Sequence, residues 1–312
     1  MCNPTVLILL GPTAVGKTAI ALAIAGKIDC EIVSADSRQV YRYMDIGTAK
    51  PRGEILKKIP HHFIDIIDPD QDYSAGQFAN EARQVIRQIL KKGKIALVVG
   101  GSGLYLRALL EGFFGGDIRD EKIRSRLNER LQREGAEKLF RELSEVDPPL
   151  AAVTHPNNVK RVLRGLEVYL ASGIPLSQIQ KKQKDPAPFA YKKFGLTMER
   201  KQLYERINHR VEEMFEQGLI NEVRDLLKKG YSEKLNSLNS VGYKEAIDYL
   251  KGHTDLRTCI ERVKQNTRRY AKRQFTWFRA EKDIHWVSIE PANDYIDTAA
   301  REILDQFNVE NK

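Results

Sequence analysis

The sequence predicts an α/β fold in which a parallel β-sheet is flanked by helices and interrupted by an all-helical insertion domain. Short apolar segments alternate with helical patterns through the first 112 residues, which is typical of strands and helices that follow each other along the chain. A glycine-rich motif joins the first apolar segment to the first helical pattern. Between residues 117 and 188 only charged helical patterns occur, and these indicate the insertion.

Four strands and two helices are predicted before the insertion. The strands are Val6–Leu10, Glu31–Ser34, His62–Ile67 and Ile95–Val99, and the helices are Thr18–Ile28 and Gln77–Lys92. Because these strands lack polar alternation and are joined by helices, we expect them to be parallel and covered on both faces. Glycines and prolines between residues 41 and 60 predict a loop with a short helix.

Residues 113–116 (FFGG) break this pattern and divide the chain into two predicted domains. The core domain comprises residues 1–116 and 189–312, and the insertion domain comprises residues 117–188. Insertion helices are predicted at Glu121–Glu134, Ala136–Leu143 and Asn157–Ser172, with residues 183–188 as the exit linker. The core then resumes with strands Tyr191–Thr197 and Ile284–Val287 and with helices Met198–Gln217, Leu219–Lys229, Gly242–Leu250, Asp255–Arg279 and Asp294–Phe307.

The phosphate-loop motif G-x-x-x-x-G-K-[ST] occurs at Gly11–Thr18, between a predicted strand and a predicted helix. This arrangement makes the fold P-loop NTPase-like. Its glycines allow backbone N–H groups to point into one concavity, and the helix N-terminus adds positive potential. Lys17 is placed to reach phosphate oxygens, and the Thr18 hydroxyl can hold Mg²⁺. The motif therefore predicts binding of a polyphosphate or a pyrophosphate, without identifying the molecule that carries it.

Asp36 directly follows the second predicted strand, so it faces the ligand crevice beside the phosphate loop. It could contact Mg²⁺, act as a general base, or cap a following helix. Phosphate-loop proteins that hydrolyse ATP carry a strand that ends in Asp, whereas the best candidate here, Ile95–Val99, runs into Gly100–Tyr105 (GGSGLY). The missing carboxylate disfavours phosphoryl transfer, although a flexible connection would also explain the glycines.

Composition excludes several classes of protein and indicates a polyanionic partner. No apolar run is long enough to span a membrane, and the three separated cysteines favour neither a disulfide framework nor a zinc site, so we expect a cytoplasmic protein. The net charge is +9, and residues 257–282 contain nine Lys or Arg against two acidic residues. This charge favours nucleic acid as the partner.

The segment from Arg268 to Arg279 concentrates these cations on a predicted helix. At helical spacing one face presents Arg269, Lys272, Arg273, Thr276 and Arg279, and Tyr270, Gln274, Trp277 and Phe278 lie near another. Such a helix can follow a sugar-phosphate backbone and stack on unpaired bases, or it can be a solvated basic face over an aromatic core stripe. In the insertion, Arg161 and Arg164 could likewise bind phosphate or form a solvated helix face.

Two further observations concern single residues. His61 and His62 have no partners at metal-ligand spacing, so we interpret them as structural. Sequence spacing does not show whether Arg210 reaches a bound phosphate.

Taken together, these residues resemble the tRNA dimethylallyltransferase (isopentenyl-tRNA transferase) family over nearly the whole chain. Beyond the phosphate loop, the block Ile32–Pro51 (IVSADSRQVYRYMDIGTAKP) is the most specific match. Further matching blocks are His61–Asp65, Gly100–Tyr105, Pro156–Glu167, Val241–Glu245 and Arg269–Arg279. Ser102 stands where many members have Thr and keeps the hydroxyl. The zinc-finger tail of some eukaryotic members is absent, so we expect a bacterial-type enzyme.

The resemblance implies transfer of a dimethylallyl group from dimethylallyl pyrophosphate to the N6 amine of the adenosine 3′ of a tRNA anticodon, with Mg²⁺ as cofactor. It implies Asp36, Thr13 and Lys17 as catalytic residues and Thr18 as the metal-binding residue. The implied pyrophosphate site is Gly11, Pro12, Thr13, Ala14, Val15, Gly16, Lys17, Thr18 and Arg210. The implied tRNA contacts are Asp36, Ser37, Arg38, Gln39, Ser102, Lys160, Arg161, Val162, Leu163, Arg164, Lys272, Arg273 and Arg279, and the insertion would grip the anticodon stem.

Three other functions compete with this interpretation. An adenylate isopentenyltransferase would prenylate free AMP or ATP on the same scaffold, but it needs neither a large insertion nor a basic helix. A small-molecule kinase or ATPase needs the strand-end Asp that is missing here. A non-catalytic RNA-binding protein has no use for an intact phosphate loop. We expect a monomeric enzyme that does not associate with membranes.

Overall fold

Six strands and thirteen helices are assigned in the computed structural model, which describes residues 5–51, 53, 56, 58–112, 118, 120–182, 185–290 and 294–309. The strands are β1 (Thr5–Leu10), β2 (Cys30–Ser34), β3 (His61–His62), β4 (Ile95–Gly100), β5 (Ala190–Thr197) and β6 (Ile284–Ser288). The helices are α1 (Lys17–Ala25), α2 (Ala75–Lys91), α3 (Gly103–Glu111), α4 (Glu121–Glu134), α5 (Ala136–Val146), α6 (Pro148–Ala152), α7 (Val159–Ser172), α8 (Leu176–Lys182), α9 (Arg200–Glu216), α10 (Leu219–Lys228), α11 (Tyr243–Leu250), α12 (Leu256–Arg279) and α13 (Tyr295–Val309).

All six strands form one parallel sheet with the order β3-β2-β4-β1-β5-β6. The central strand β1 pairs with β4 on one side and β5 on the other, and Leu10 lies opposite both Gly100 and Gly195. Residues Val6–Leu10 are at most 2% exposed, as expected for a strand covered on both faces. The predicted parallel sheet flanked by helices is therefore confirmed. Its carboxyl edge gathers the segments that follow β1, β2 and β4.

The edge strand β3 is shorter than predicted. The expected strand His62–Ile67 ends after His62, because Phe63 (φ 65°) and Asp65 (φ 56°) adopt left-handed backbone conformations that no β-strand accommodates. Ile67 rejoins the sheet only through an isolated bridge to Tyr41. The short helix expected between residues 41 and 60 falls partly on residues 52, 54, 55 and 57, outside the described residues.

By spatial contacts the chain divides into two units. The first comprises residues 1–73, 81–106 and 188–312, and the second comprises residues 74–80 and 107–187. Residues 113–117 and 183–184, where we predicted the entry to the insertion and the start of its exit linker, lie outside the described residues. Helices α3, α6 and α8 were not predicted.

The second unit has its own core of leucines and valines from α4 to α8. In this unit α4 has the bounds predicted from the sequence, because both of its ends have local signals. Asp120 accepts hydrogen bonds from the N–H groups of Lys122 and Ile123 at the start, and Gly135 follows the last turn. The buried Asp147 begins α6 by accepting from Leu150 N–H and also binds Ser177 N–H. No helix among the described residues is long and apolar enough to cross a membrane.

At Gly100 the strand-end backbone packs too closely for a side chain, since a Cβ there would lie 2.2 Å from the carbonyl oxygen of Ala35. We expect Gly100→Ala to destabilise the protein by about 1–3 kcal/mol, because backbone has to move to admit the methyl group. Thermal denaturation measures the shift. The matched control is Gly26→Ala, whose Cβ would make an ordinary contact at 3.6 Å. Equal melting temperatures for the two variants would contradict the close packing of Gly100.

Candidate active site

The phosphate loop turns sharply between β1 and α1. Gly16 has φ 108° immediately before the first residue of α1, a conformation that L side chains rarely adopt. Gly11 permits close packing, because a Cβ there would lie 2.9 Å from the carbonyl oxygen of Leu196. The loop thus ends at the N-terminus of a helix, which is a favourable place for an anion.

Lys17 lies over this loop. Its Nζ donates to the carbonyl oxygens of Gly11 at 3.0 Å and Pro12 at 2.7 Å. Burial lowers the pKa of Lys17 to about 8; the Asp36 carboxylate raises it and the Arg210 guanidinium lowers it. Lys17 is therefore a desolvated cation that an added anion would stabilise.

Arg210 and Gln274 hold Thr13 from two sides. The guanidinium of Arg210 donates to Thr13 Oγ1 at 3.1 Å, and the Thr13 N–H donates to Gln274 Oε1 at 2.8 Å. Burial lowers the pKa of Arg210, which the nearby Asp36 carboxylate partly offsets. The structure therefore brings Arg210, which sequence spacing did not place, to the phosphate loop.

Asp36 follows β2 at the same edge of the sheet. Its Oδ1 accepts the Arg38 N–H at 2.9 Å, and a turn rather than a helix follows, so Asp36 does not cap a helix. The next residue, Ser37, donates its N–H to Ser102 Oγ at 3.0 Å. Burial and the Asp36 charge together raise the pKa of Tyr270 to about 12. Asp36 therefore lies within electrostatic reach of Lys17, Arg210 and Tyr270.

One cavity of about 320 Å³ connects these groups. Its polar wall includes Thr13, Lys17, Thr18, Asp36, Ser37, Arg38, Gln39, Arg210, Arg273 and Gln274. Its apolar side is formed by Ile207, Val211, Met214, Val241 and Val263. Asp36 is the single carboxylate among the described residues that line it. Such a cavity suits a small ligand with an anionic end and an apolar end.

The glycines after β4 are explained by packing and not by flexibility. A Cβ at Gly101 would lie 2.4 Å from Gln274 Nε2, and one at Gly103 would lie 2.3 Å from the Trp277 ring. Helix α3 begins directly at Gly103. The segment is therefore an ordered platform, and it carries no carboxylate, as the sequence indicated.

Sequence reasoning missed the residues that hold the loop at residues 45–50. Glu222 accepts the N–H groups of Asp45, Ile46 and Gly47 at 3.0, 2.7 and 3.2 Å, and the Tyr243 hydroxyl donates to it at 2.6 Å. The apolar stretch that follows Glu222 gave no sign of this contact, because the three N–H groups that Glu222 binds are about 175 residues away in sequence.

Lys50, in the same loop, is buried and also escaped the sequence analysis. Its Nζ donates to the carbonyl oxygen of Tyr41 at 2.8 Å and to the carboxylates of Asp45 and Asp65. These oxygens compensate the cost of removing the ammonium from water. Together with Glu222, Lys50 fixes the loop whose residues 47–49 line the cavity.

Helix α12 presents the predicted cationic face. Arg269, Lys272, Arg273, Thr276 and Arg279 are exposed, and Arg273 also lies over the Tyr270 ring at 5.7 Å. Phe278 is 1% exposed and belongs to the core, so it is not free to stack on bases. The helix is therefore cationic outside, with only some of its aromatic side chains accessible.

In the second unit, Lys160 and Arg161 are exposed, but the remaining predicted tRNA contacts of α7 are turned inward to different degrees. Val162 is 1% exposed and packs in the core, so its side chain cannot make the predicted contact. Leu163 is half-buried and packs against the same core. Arg164 donates to the carbonyl oxygen of Ile118 and to Glu167, which accounts for its position without RNA.

Comparison with known proteins decides the family. The model of a family described as IPP transferase matches residues 39–281. The chain belongs to the IPP transferase family. It is 46% identical to the tRNA dimethylallyltransferase of Pelotomaculum thermopropionicum over 91% of this chain and 90% of that one. The match to the family model begins at residue 39, so it does not include the phosphate loop or Asp36.

Two solved structures of this family's proteins are similar over nearly the whole chain. The tRNA isopentenylpyrophosphate transferase of Bacillus halodurans has a TM-score of 0.71 and 38% identity, and the match covers 99% of this chain and 100% of that chain. A eukaryotic dimethylallyltransferase acting on tRNA has a TM-score of 0.83 and 28% identity, and the match covers 99% of this chain and 80% of that chain. The predicted family and P-loop-like fold are confirmed.

The donor set of this IPP transferase fits a magnesium ion shared with a ligand. The described residues contain no group of three or more His, Cys, Asp or Glu side chains that could hold a metal by themselves. However, Mg²⁺ in phosphate-binding sites is held mainly by substrate phosphates and waters, with few protein ligands. The exposed Thr18 hydroxyl at the start of α1 supplies such an oxygen beside the phosphate loop.

The depressed pKa of Lys17 leads to a pH-dependent affinity for anions. We expect the affinity for inorganic pyrophosphate to fall as pH rises through about 8, because Lys17 loses its charge there. Calorimetric titration at several pH values measures this affinity. In the control Lys17→Arg the side chain stays charged, and the fall in pyrophosphate affinity near pH 8 should therefore disappear. The same decline in both proteins would show that Lys17 is not its cause.

Proposed function

We propose that this chain transfers a dimethylallyl group from dimethylallyl pyrophosphate to the N6 amine of the adenosine on the 3′ side of a tRNA anticodon. Membership of the IPP transferase family supports the reaction class. The observation that carries the proposal is a single cavity where a cationic phosphate loop faces an apolar wall and one carboxylate. A prenyl pyrophosphate has the matching anionic and apolar ends.

The phosphate loop would hold the donor by its leaving group. The positive end of α1, the Lys17 ammonium and the Arg210 guanidinium surround the place where the pyrophosphate would lie. As the bond between the prenyl carbon and oxygen breaks, negative charge grows on the pyrophosphate. Preorganised cations stabilise that charge more in the transition state than in the bound substrate, which lowers the barrier.

Asp36 would act on the acceptor. The exocyclic amine of adenine is a poor nucleophile, because its lone pair is delocalised into the ring. The N6 atom forms a bond to the prenyl carbon, the carbon–oxygen bond breaks with its electron pair leaving on pyrophosphate, and the N6 proton passes to the Asp36 carboxylate. A carboxylate placed within reach of that proton serves as a general base.

The apolar wall would receive the prenyl group. The side chains of Ile207, Val211 and Met214 line the cavity from the same face of α9. This wall shields a carbon centre that develops positive charge from attack by water. We further propose that the enzyme acts as a monomer.

The tRNA would lie against the cationic face of α12, with Ser37, Arg38, Gln39 and Ser102 close to the target base. Arginine and lysine on one helix face suit a phosphate backbone, and unpaired anticodon-loop bases are readily unstacked. Lys160 and Arg161 supply further exposed cations in the second unit. We propose the cytoplasm as the location of this reaction.

Mg²⁺ is the proposed cofactor, with the Thr18 hydroxyl as its protein ligand. When bound, it would neutralise part of the charge on the pyrophosphate. The chain's own residues, Lys17 and Arg210, contribute positive charge at the same loop whether or not the ion is present.

Radiolabelled dimethylallyl pyrophosphate tests the proposed function when it is incubated with the protein and either unmodified tRNA or AMP. We expect label in tRNA and none in AMP. Label in AMP alone would make the protein an adenylate isopentenyltransferase and contradict the proposal. Hydrolysis of ATP without prenyl transfer would instead support a kinase-like or ATPase function.

Asp36→Asn should lower the turnover number by about 10²–10⁴-fold, because the amide cannot accept the N6 proton. Its Oδ1 can still accept the Arg38 N–H, so tRNA affinity should remain close to that of the wild type. Single-turnover kinetics and tRNA binding measure the two effects. The control is Asp70→Asn, an exposed residue outside the cavity. Near-normal turnover by the Asp36 variant would remove Asp36 from the proposed role.

A further inference from the structure

Gln274 connects the two halves of the candidate site. It lies on α12, is 7% exposed, and uses both ends of its amide. Oε1 accepts the Thr13 N–H at 2.8 Å, and Nε2 donates to the carbonyl oxygen of Gly101 at 2.8 Å. One buried side chain is therefore hydrogen-bonded to the backbones of two different loops.

The Thr13 end of this bridge belongs to the phosphate loop. Thr13 receives a second contact from the Arg210 guanidinium at its hydroxyl. Because the Thr13 N–H points to Gln274, it is not directed at a ligand in the loop. Gln274 and Arg210 together therefore fix the orientation of Thr13 at the start of the anion-binding turn.

The Gly101 end belongs to the segment after β4, which contacts the loop that contains Asp36. Gly101 is followed by Ser102, whose Oγ accepts the Ser37 N–H, and Ser37 is joined to Asp36. The absence of a side chain at residue 101 is required, since a Cβ would lie 2.4 Å from Gln274 Nε2. The bridge thus runs from Thr13 through Gln274 to Gly101, Ser102 and Asp36.

We propose that Gln274 is a positioning residue that sets the separation between the phosphate loop and Asp36. This inference rests on the proposed prenyl transfer, where the leaving group is held by one loop and the acceptor amine by the other. Group transfer requires the reacting atoms within a narrow distance, and a displacement of about 1 Å can cost on the order of 10²-fold in rate. Gln274 does not touch the reacting atoms.

The chemistry of the bridge explains why an amide is used. The buried position needs one acceptor for Thr13 N–H and one donor for the Gly101 carbonyl, and glutamine supplies both without charge. Methionine has a similar length but supplies neither, and an ionised glutamate supplies two acceptors, one of which would face the Gly101 carbonyl. These two replacements break the bridge in distinguishable ways.

The test measures the turnover number, the KM for dimethylallyl pyrophosphate and the tRNA dissociation constant for Gln274→Met and Gln274→Glu. Gln88→Met and Gln88→Glu are the matched controls, because Gln88 is exposed on α2 and does not line the cavity. We expect a loss of about 10–10²-fold in turnover for both Gln274 variants, with tRNA affinity unchanged. The controls should retain wild-type turnover.

A pH profile separates positioning from a general loss of structure. Burial raises the pKa of an introduced carboxyl and the Lys17 and Arg210 cations of the same cavity lower it, and in Gln274→Glu the carboxyl becomes protonated as the pH falls. Its O–H can then donate to the Gly101 carbonyl and restore the bridge. Turnover relative to wild type should therefore rise at low pH for Gln274→Glu and stay constant for Gln274→Met.

Gly101→Ala disturbs the same bridge from the other side and does not depend on how the Gln274 variants fold. It should lower turnover to a similar degree. Its effect should not add to that of Gln274→Met, because both substitutions disturb the same hydrogen bond between Gln274 and Gly101. Suppose that the wild type transfers the prenyl group. Wild-type turnover in these variants, or a loss in Gln274→Glu that does not change with pH, would then overturn the inference but not the proposed function. If the wild type transfers none, the proposed function fails and this inference with it.

Discussion

The site depends on two partly desolvated cations that lie next to one carboxylate and require a compensating anion. Burial lowers the pKa of both Lys17 and Arg210, and Asp36 is the single carboxylate among the described residues that line their cavity. Positive charge removed from water is costly unless an anion compensates it. A dianionic or trianionic leaving group is such a compensation. In the proposed reaction the same arrangement leaves Asp36 available for the acceptor, so that different groups would bind the donor and activate the amine.

The loops around this cavity have little regular secondary structure, and buried or half-buried polar side chains hold them by their backbones. Glu222 binds three N–H groups of the loop at 45–47, Lys50 binds the Tyr41 carbonyl, and Gln274 binds the Thr13 N–H and the Gly101 carbonyl. Backbone groups buried without partners would destabilise such loops, whereas satisfied ones make them rigid. Rigidity matters here because the reacting groups belong to separate loops.

The sequence predicted those features of the structure that have a local cause. The phosphate loop follows from its motif between a strand and a helix, and the bounds of α4 follow from Asp120 and Gly135. It failed where the cause is tertiary. The left-handed backbone at Phe63 and Asp65 shortens β3, although phenylalanine rarely adopts this conformation. The contact between Thr13 and Gln274 joins residues 261 positions apart, and no periodicity reports it. Residue roles taken from family resemblance remain predictions, and for the Val162 side chain the core packing contradicts one.

The central claim is that Gly11–Thr18 holds a leaving group and does not pass on a phosphate. The most direct measurement is to follow pyrophosphate release and the mass of the tRNA in one reaction with dimethylallyl pyrophosphate. One pyrophosphate should appear for each tRNA that gains a dimethylallyl group, without inorganic phosphate and without any need for ATP. Release of inorganic phosphate in step with turnover, or a tRNA that gains phosphate mass, would contradict the claim.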